Sequence, residues 1–261
     1  MTVRYSGMQI PSYWNRHAPV LFPNVGRYYE NKCLINGNTY HCGQHGFARD
    51  MEFTCTESSQ TSVTHLVTSS DSTRETYPFD FRLLITHELS GRDLTVRWTV
   101  INEDSQTMYF TIGGHPAFNV PAVPGTSQDQ YYLTFNHESE LTCSLLDLSH
   151  GTVFEGKTYP LALEHGAVIS KESFLTTILW YLTTAGNPGR NRLSGRTPYV
   201  EITCKGFPNF GIWSAPDSPF VCLEPWMGRC DNTGFADELS SKQDINTLLP
   251  ERPSNSFIPY L

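Results

Sequence analysis

Leu94-Thr-Val-Arg-Trp-Thr-Val-Ile101 alternates apolar and polar side chains. Successive side chains of a strand point to opposite faces, so a period of two predicts a half-buried β-strand. A helix would repeat its apolar positions every three or four residues. Upstream, Phe81-Arg-Leu-Leu-Ile-Thr-His-Glu-Leu89 carries the same alternation, and Ser90-Gly91-Arg92-Asp93 between the two runs has the composition of a turn. Thr61–Thr68 and Pro198–Cys204 follow the pattern as well, and Asn102–Ser105 and Ala215–Ser218 are further turns. Short alternating runs separated by turns predict an all-β chain of antiparallel sheets in a sandwich or barrel. Helix signals are confined to one short turn at Asp237–Lys242. The stretch Thr184–Arg196, rich in Gly, Asn and Arg, predicts a loop between strands. With no internal repeat and strand patterning on both sides of that loop, residues 1–261 are expected to form a single domain.

Composition narrows the function. A formal net charge of −8, with no basic cluster to offset it, argues against nucleic acid as a partner. No apolar run approaches the roughly 18 residues that would span a bilayer, so no membrane partner is expected. Met1–Ile10 lacks the hydrophobic core of a signal peptide, and the expected location is cytoplasmic. The seven cysteines are odd in number and contain no C-x-x-C pair, which favours free thiols over a disulfide framework or a zinc ribbon.

Three segments depart from ordinary sheet. Gly113-Gly-His-Pro-Ala-Phe-Asn119 directly follows a strand-like run. Its glycine pair predicts a sharp turn that presents His115, the side chain whose proton moves near neutral pH. Leu223-Glu-Pro-Trp-Met-Gly228 has similar punctuation around the lone carboxylate of Glu224. Gly43-Gln-His-Gly-Phe-Ala-Arg49 sets His45 and Arg49 four residues apart in a glycine-bounded loop. On spacing alone, each has a structural alternative: a turn histidine, a surface Glu-Pro-Trp turn, a solvated arginine. Neither His45 nor His115 has a third ligand at helical or hairpin spacing, so no metal is expected. There is no G-x-S-x-G, no phosphate-binding glycine loop before a helix, and no cysteine in a nucleophile signature.

Five blocks taken in order carry a resemblance. They are Arg16-His-Ala-Pro-Val-Leu-Phe-Pro-Asn-Val-Gly-Arg27, Gln44-His-Gly-Phe-Ala-Arg-Asp50, Gly113–Asn119, Gly206-Phe-Pro-Asn-Phe-Gly-Ile-Trp213 and Pro219-Phe-Val-Cys-Leu-Glu-Pro-Trp-Met-Gly228. From about Trp14 onward the chain is similar to the aldose 1-epimerase (galactose mutarotase) family and, within it, to the LacX-like branch. The resemblance implies a large twisted antiparallel β-sandwich and the interconversion of the α and β anomers of a hexose such as galactose or glucose. It implies Glu224 as general base and His115 as general acid, with His45, Arg49 and Arg16 binding substrate. Such a cycle requires no metal, nucleotide or other cofactor. Trp226 is expected, from its residue type, to stack on an apolar sugar face.

Two departures from the family pattern bear on substrate. Met1–Gln9 stands where many members carry an extra pair of strands, and a missing edge strand would invite a homodimer. Thr177 falls where members commonly have an aspartate that contacts sugar hydroxyls, so sugar preference is expected to differ. The supply of arginine at Arg16 and Arg49 keeps a phosphorylated monosaccharide, and hence a hexose-6-phosphate mutarotase, as an alternative. A non-catalytic carbohydrate-binding protein of the same fold is a second alternative. A glycosidase would require two placed carboxylates, and only one is evident.

Overall fold

This computed structural model describes residues 13–135, 140–162, 167–168, 179–183, 189–194, 198–204, 206–250 and 256–257. Thr177 and Met1–Gln9 lie outside the described residues. The backbone groups into two compact units. One takes residues up to Val20 together with Gly113–Ser149 and Val153–Trp226; the other takes Leu21–Ile112, His150–Thr152 and the chain from Met227.

The second unit contains the hairpin that the alternating runs predict. Phe81–Ser90 pairs antiparallel with Asp93–Asn102, each a residue or so longer than its sequence pattern. The two-residue connection starts at Gly91, whose φ of +62° suits the first position of such a turn. Leu83 stands opposite Val100 and Ile85 opposite Trp98, and all four are buried. Arg82, Thr86, Arg97 and Thr99 take the other face, as the period of two requires. Ser62–Thr68 and Thr54–Ser58 extend this sheet on one side and Ser256–Phe257 on the other. Beneath it lies an aromatic cluster in which the Phe22 ring is 5.0 Å from Phe81, 5.7 Å from Phe110 and 6.0 Å from Tyr77. Fully burying one such ring is worth roughly 1.5–3 kcal/mol, so the cluster is a main source of this unit's stability.

The first unit contains two sheets. In one, Phe220–Met227 has Ala117–Asn119 and Asn209–Trp213 as neighbours, and Leu179–Thr183, Glu140–Asp147 and Thr152–Ala162 continue the order. The other runs Ala167–Val168, Tyr132–Phe135, Gly189–Ser194, Pro198–Cys204. This second sheet corrects one expectation: Gly189–Ser194, inside the predicted Thr184–Arg196 loop, is a strand paired on both sides. Its composition is poor in β-branched residues, and pairing with two neighbours supplies what local preference does not.

Helix is as scarce as the patterning predicts. A 3-10 turn at Leu239–Ser241 falls within the expected Asp237–Lys242 segment. An unexpected helical turn at Asp71–Arg74 is held by a capping box in which Ser70 and Thr73 exchange side-chain-to-backbone hydrogen bonds. Among the described residues, no helix is long and apolar enough to cross a membrane.

Candidate active site

The period of two along Phe220–Met227 places Cys222, Glu224 and Trp226 on one face of a central strand. Glu224-Pro225-Trp226 runs straight through this strand, with Gly211 opposite Glu224 and Asn209 opposite Trp226. The expected turn around the carboxylate is absent. Glu224 is 1% exposed.

His115 reaches this face from the short link between Ile112–Gly114 and Ala117–Asn119. Its backbone N–H donates to Pro19 O, and Leu223 N–H donates to Pro116 O, so the link is tied on both sides. Gly113 and Gly114 do not make the expected sharp turn; they belong to a strand. The need for glycine is steric instead. A Cβ on Gly113 would lie 2.4 Å from the Trp226 ring, and a Cβ on Gly211 would lie 2.4 Å from the same ring. His115 is correspondingly buried, at 7% exposure, where the sequence predicts a presented side chain.

His115 Nε2 lies 3.3 Å from Glu224 Oε1. Trp14 stacks on the imidazole with ring centroids 4.8 Å apart, and Trp213 meets it edge-on at 5.6 Å. Phe220 packs 5.9 Å from both indoles. Burial pushes the Glu224 carboxyl well above the usual carboxylate range, and the indole N–H of Trp226 works in the opposite direction. The Cys222 thiol is pushed up by burial first and by the Glu224 charge second. Cys222 Sγ, a carboxylate oxygen of Glu224 and an imidazole nitrogen of His115 all lie within 4.8 Å of one another.

Trp226 does not have the open ring face that sugar stacking requires. It is 1% exposed and fills the space left by two glycines. The half-buried indoles at this site are Trp14 and Trp213. Gly211→Ala therefore drives a methyl group into the Trp226 ring beside Glu224. It is expected to cost about 1–3 kcal/mol, a melting temperature lower by roughly 2–4 °C per kcal/mol, measurable by calorimetry.

Arg16 is half-buried in the first unit. His45 and Arg49 lie in the second unit, on one loop. His45 takes a φ of +65°, and its Nδ1 accepts the Gly26 N–H at 3.0 Å. The neutral ring therefore carries its proton on Nε2 and has a donor there. Arg49 donates to Gln44 O at 2.7 Å, and its Nε is 3.8 Å from the Asp50 carboxylate. Trp14 and Cys222 received no role from the sequence. Cys222 is two residues from Glu224 and so was recognisable from strand period. Trp14 is about a hundred residues from His115, and no local pattern links the two.

The chain matches the family described as aldose 1-epimerase over residues 5–190. The plasmid-encoded protein LacX of Lactococcus lactis subsp. lactis is 31% identical over 256 residues, an alignment covering 92% of this chain and 83% of the relative. The structure of a galactose mutarotase related enzyme from Lactobacillus acidophilus superposes with a TM-score of 0.87 at 29% identity, covering 96% of this chain and 83% of the other. A galactose mutarotase-like protein from Lactobacillus casei gives 0.78 at 27% identity, with 98% and 86% covered. The two solved structures share the antiparallel β-sandwich, and all three alignments cover more than nine-tenths of this chain. The chain belongs to the aldose 1-epimerase family, in its LacX-like branch.

Proposed function

We propose that this protein is an aldose 1-epimerase acting on a free hexose such as galactose or glucose, with Glu224 and His115 as the proton-transfer pair. The observation that carries this reading is the 3.3 Å approach of His115 Nε2 to Glu224 Oε1 on a buried face walled by Trp14 and Trp213. Glu224 takes the proton of the anomeric hydroxyl while protonated His115 gives its proton to the ring oxygen. The C1–O5 bond breaks and the open aldehyde forms. After rotation about C1–C2, His115 takes the proton of the attacking hydroxyl and protonated Glu224 returns its proton to the carbonyl oxygen. No proton is gained or lost over the cycle. A carboxylate deprived of water is a stronger base than an exposed one, which suits Glu224 to the first step. Trp14 and Trp213 offer indole surface to the apolar face of a pyranose. Arg16, His45 and Arg49 bind sugar hydroxyls in this proposal, a role that rests on the family resemblance.

A free sugar ranks ahead of a hexose 6-phosphate because Arg49 already donates to Gln44 O and has Asp50 beside it. The test is polarimetry of freshly dissolved α-glucose, α-galactose and their 6-phosphates against the spontaneous rate. Acceleration with a free hexose, exceeding that with its phosphate, is the expected result. The reverse order makes the phosphorylated sugar the substrate, and no acceleration with any of the four sinks the enzyme reading.

A further inference from the structure

We propose that Cys222, His115 and Glu224 form a binding site for a thiophilic divalent cation such as Zn²⁺, and that its occupancy blocks the acid–base pair. In the chain, His115 has no third ligand at helical or hairpin spacing. The fold supplies two from one strand face. The donor set of one thiolate, one imidazole and one carboxylate is that of tetrahedral zinc. Zinc bonds of about 2.0–2.3 Å at tetrahedral angles put donor atoms roughly 3.3–3.6 Å apart. Nε2 and Oε1 already stand at 3.3 Å. No donor pair exceeds 4.8 Å, so bringing in the sulfur takes a side-chain movement of roughly 1 Å.

Burial adds to the case. All three side chains are buried, and Glu224 is almost wholly so. Among the described residues its carboxylate has the Trp226 indole N–H and the His115 ring beside it, short of full hydrogen-bond geometry. A cation would compensate that charge directly. Three protein ligands leave the fourth position to water. Binding replaces the Cys222 thiol proton by the cation and releases that proton to solvent. Through Glu224 and His115, the bound cation holds the lone pairs that would take protons from the sugar. The block thus rests on the acid–base reading above, whereas the binding site itself does not.

The experiment separates these two points. Chelator-treated protein with Cys55→Ser, which removes the exposed cysteine among the described residues, serves as the parent. Cd²⁺ is titrated while the ultraviolet thiolate-to-cadmium charge-transfer band is followed, in the parent and with Cys222→Ser or Cys222→Ala added. The expected result is a band that saturates at one equivalent in the parent and is missing in both variants. In the mutarotation assay, free Zn²⁺ at about ten times its half-saturating concentration slows the parent about tenfold by simple occupancy. The same Zn²⁺ leaves each variant within about twofold of its own metal-free rate. A parent without the band, a band that survives both substitutions, or an active parent indifferent to Zn²⁺ overturns the proposal. If the parent does not accelerate mutarotation at all, the acid–base reading fails while the cadmium band still decides the cation site.

Discussion

Glu224→Gln is expected to slow enzymatic mutarotation by about 10²–10⁴-fold while raising the melting temperature. The amide keeps the shape of the carboxylate and can still hydrogen-bond, but it cannot take a proton from the anomeric hydroxyl. The loss should therefore fall on kcat, with sugar affinity by calorimetry changed only a few-fold. The stability gain follows from burial. Burial raises the folded-state pKa of Glu224 above its unfolded value, so the folded protein holds this proton more tightly than the unfolded chain. Stability from this group is fully present below the ordinary carboxylate range and is lost as pH rises through the higher folded-state value. At neutral pH the wild type thus carries a penalty that the glutamine lacks. The variant should melt about 2–6 °C higher in chelator-containing buffer, and the difference should shrink below about pH 4. Full activity in Glu224→Gln would remove Glu224 from the mechanism. An unchanged melting temperature across pH would mean that its charge is better compensated than its surroundings indicate.

His115→Asn should lower kcat by a similar factor, about 10²–10⁴, and leave galactose or glucose binding measurable. Asparagine still donates a hydrogen bond but cannot deliver a proton to the ring oxygen. It also gives up the stack with Trp14, so part of the loss is expected in KM. A non-catalytic sugar-binding protein would behave differently, since it has no turnover to lose in either form. In the wild type, the pH–rate profile should be bell-shaped, with two apparent pKa values that belong to the Glu224–His115 pair jointly. Each single variant should lose one limb of the bell. A wild-type profile flat from acid to alkaline pH would falsify the assignment of both residues.

The hairpin formed by Phe81–Ser90 and Asp93–Asn102 was readable from the chain because strand period is local: each side chain's face follows from its own position. Gly189–Ser194 was not readable, because its strand state comes from partners on both sides. The same division runs through the site. His115 and Glu224 stand out in short motifs as candidates, since their neighbours in sequence resemble a known pattern. The surroundings inferred for them were wrong in two respects. Gly113-Gly114 and Glu224-Pro225 continue strands instead of turning, and Trp226 is packing material between two glycines instead of a sugar platform. Glycine and proline have several local uses, and only the neighbouring strand determines which one operates.

By itself, the sequence determined the all-β class and the family, and it singled out His115 and Glu224 as the pair proposed to transfer protons. Tertiary structure alone decided what surrounds them: Trp14 stacked on His115, Trp213 at its edge, and Cys222 close enough to complete a three-donor set. The reason is physical. Periodicity and motif record the conformation of a residue relative to its immediate neighbours, whereas burial, pKa and ligand geometry depend on which distant segments meet, and that is fixed only when the sheets pair.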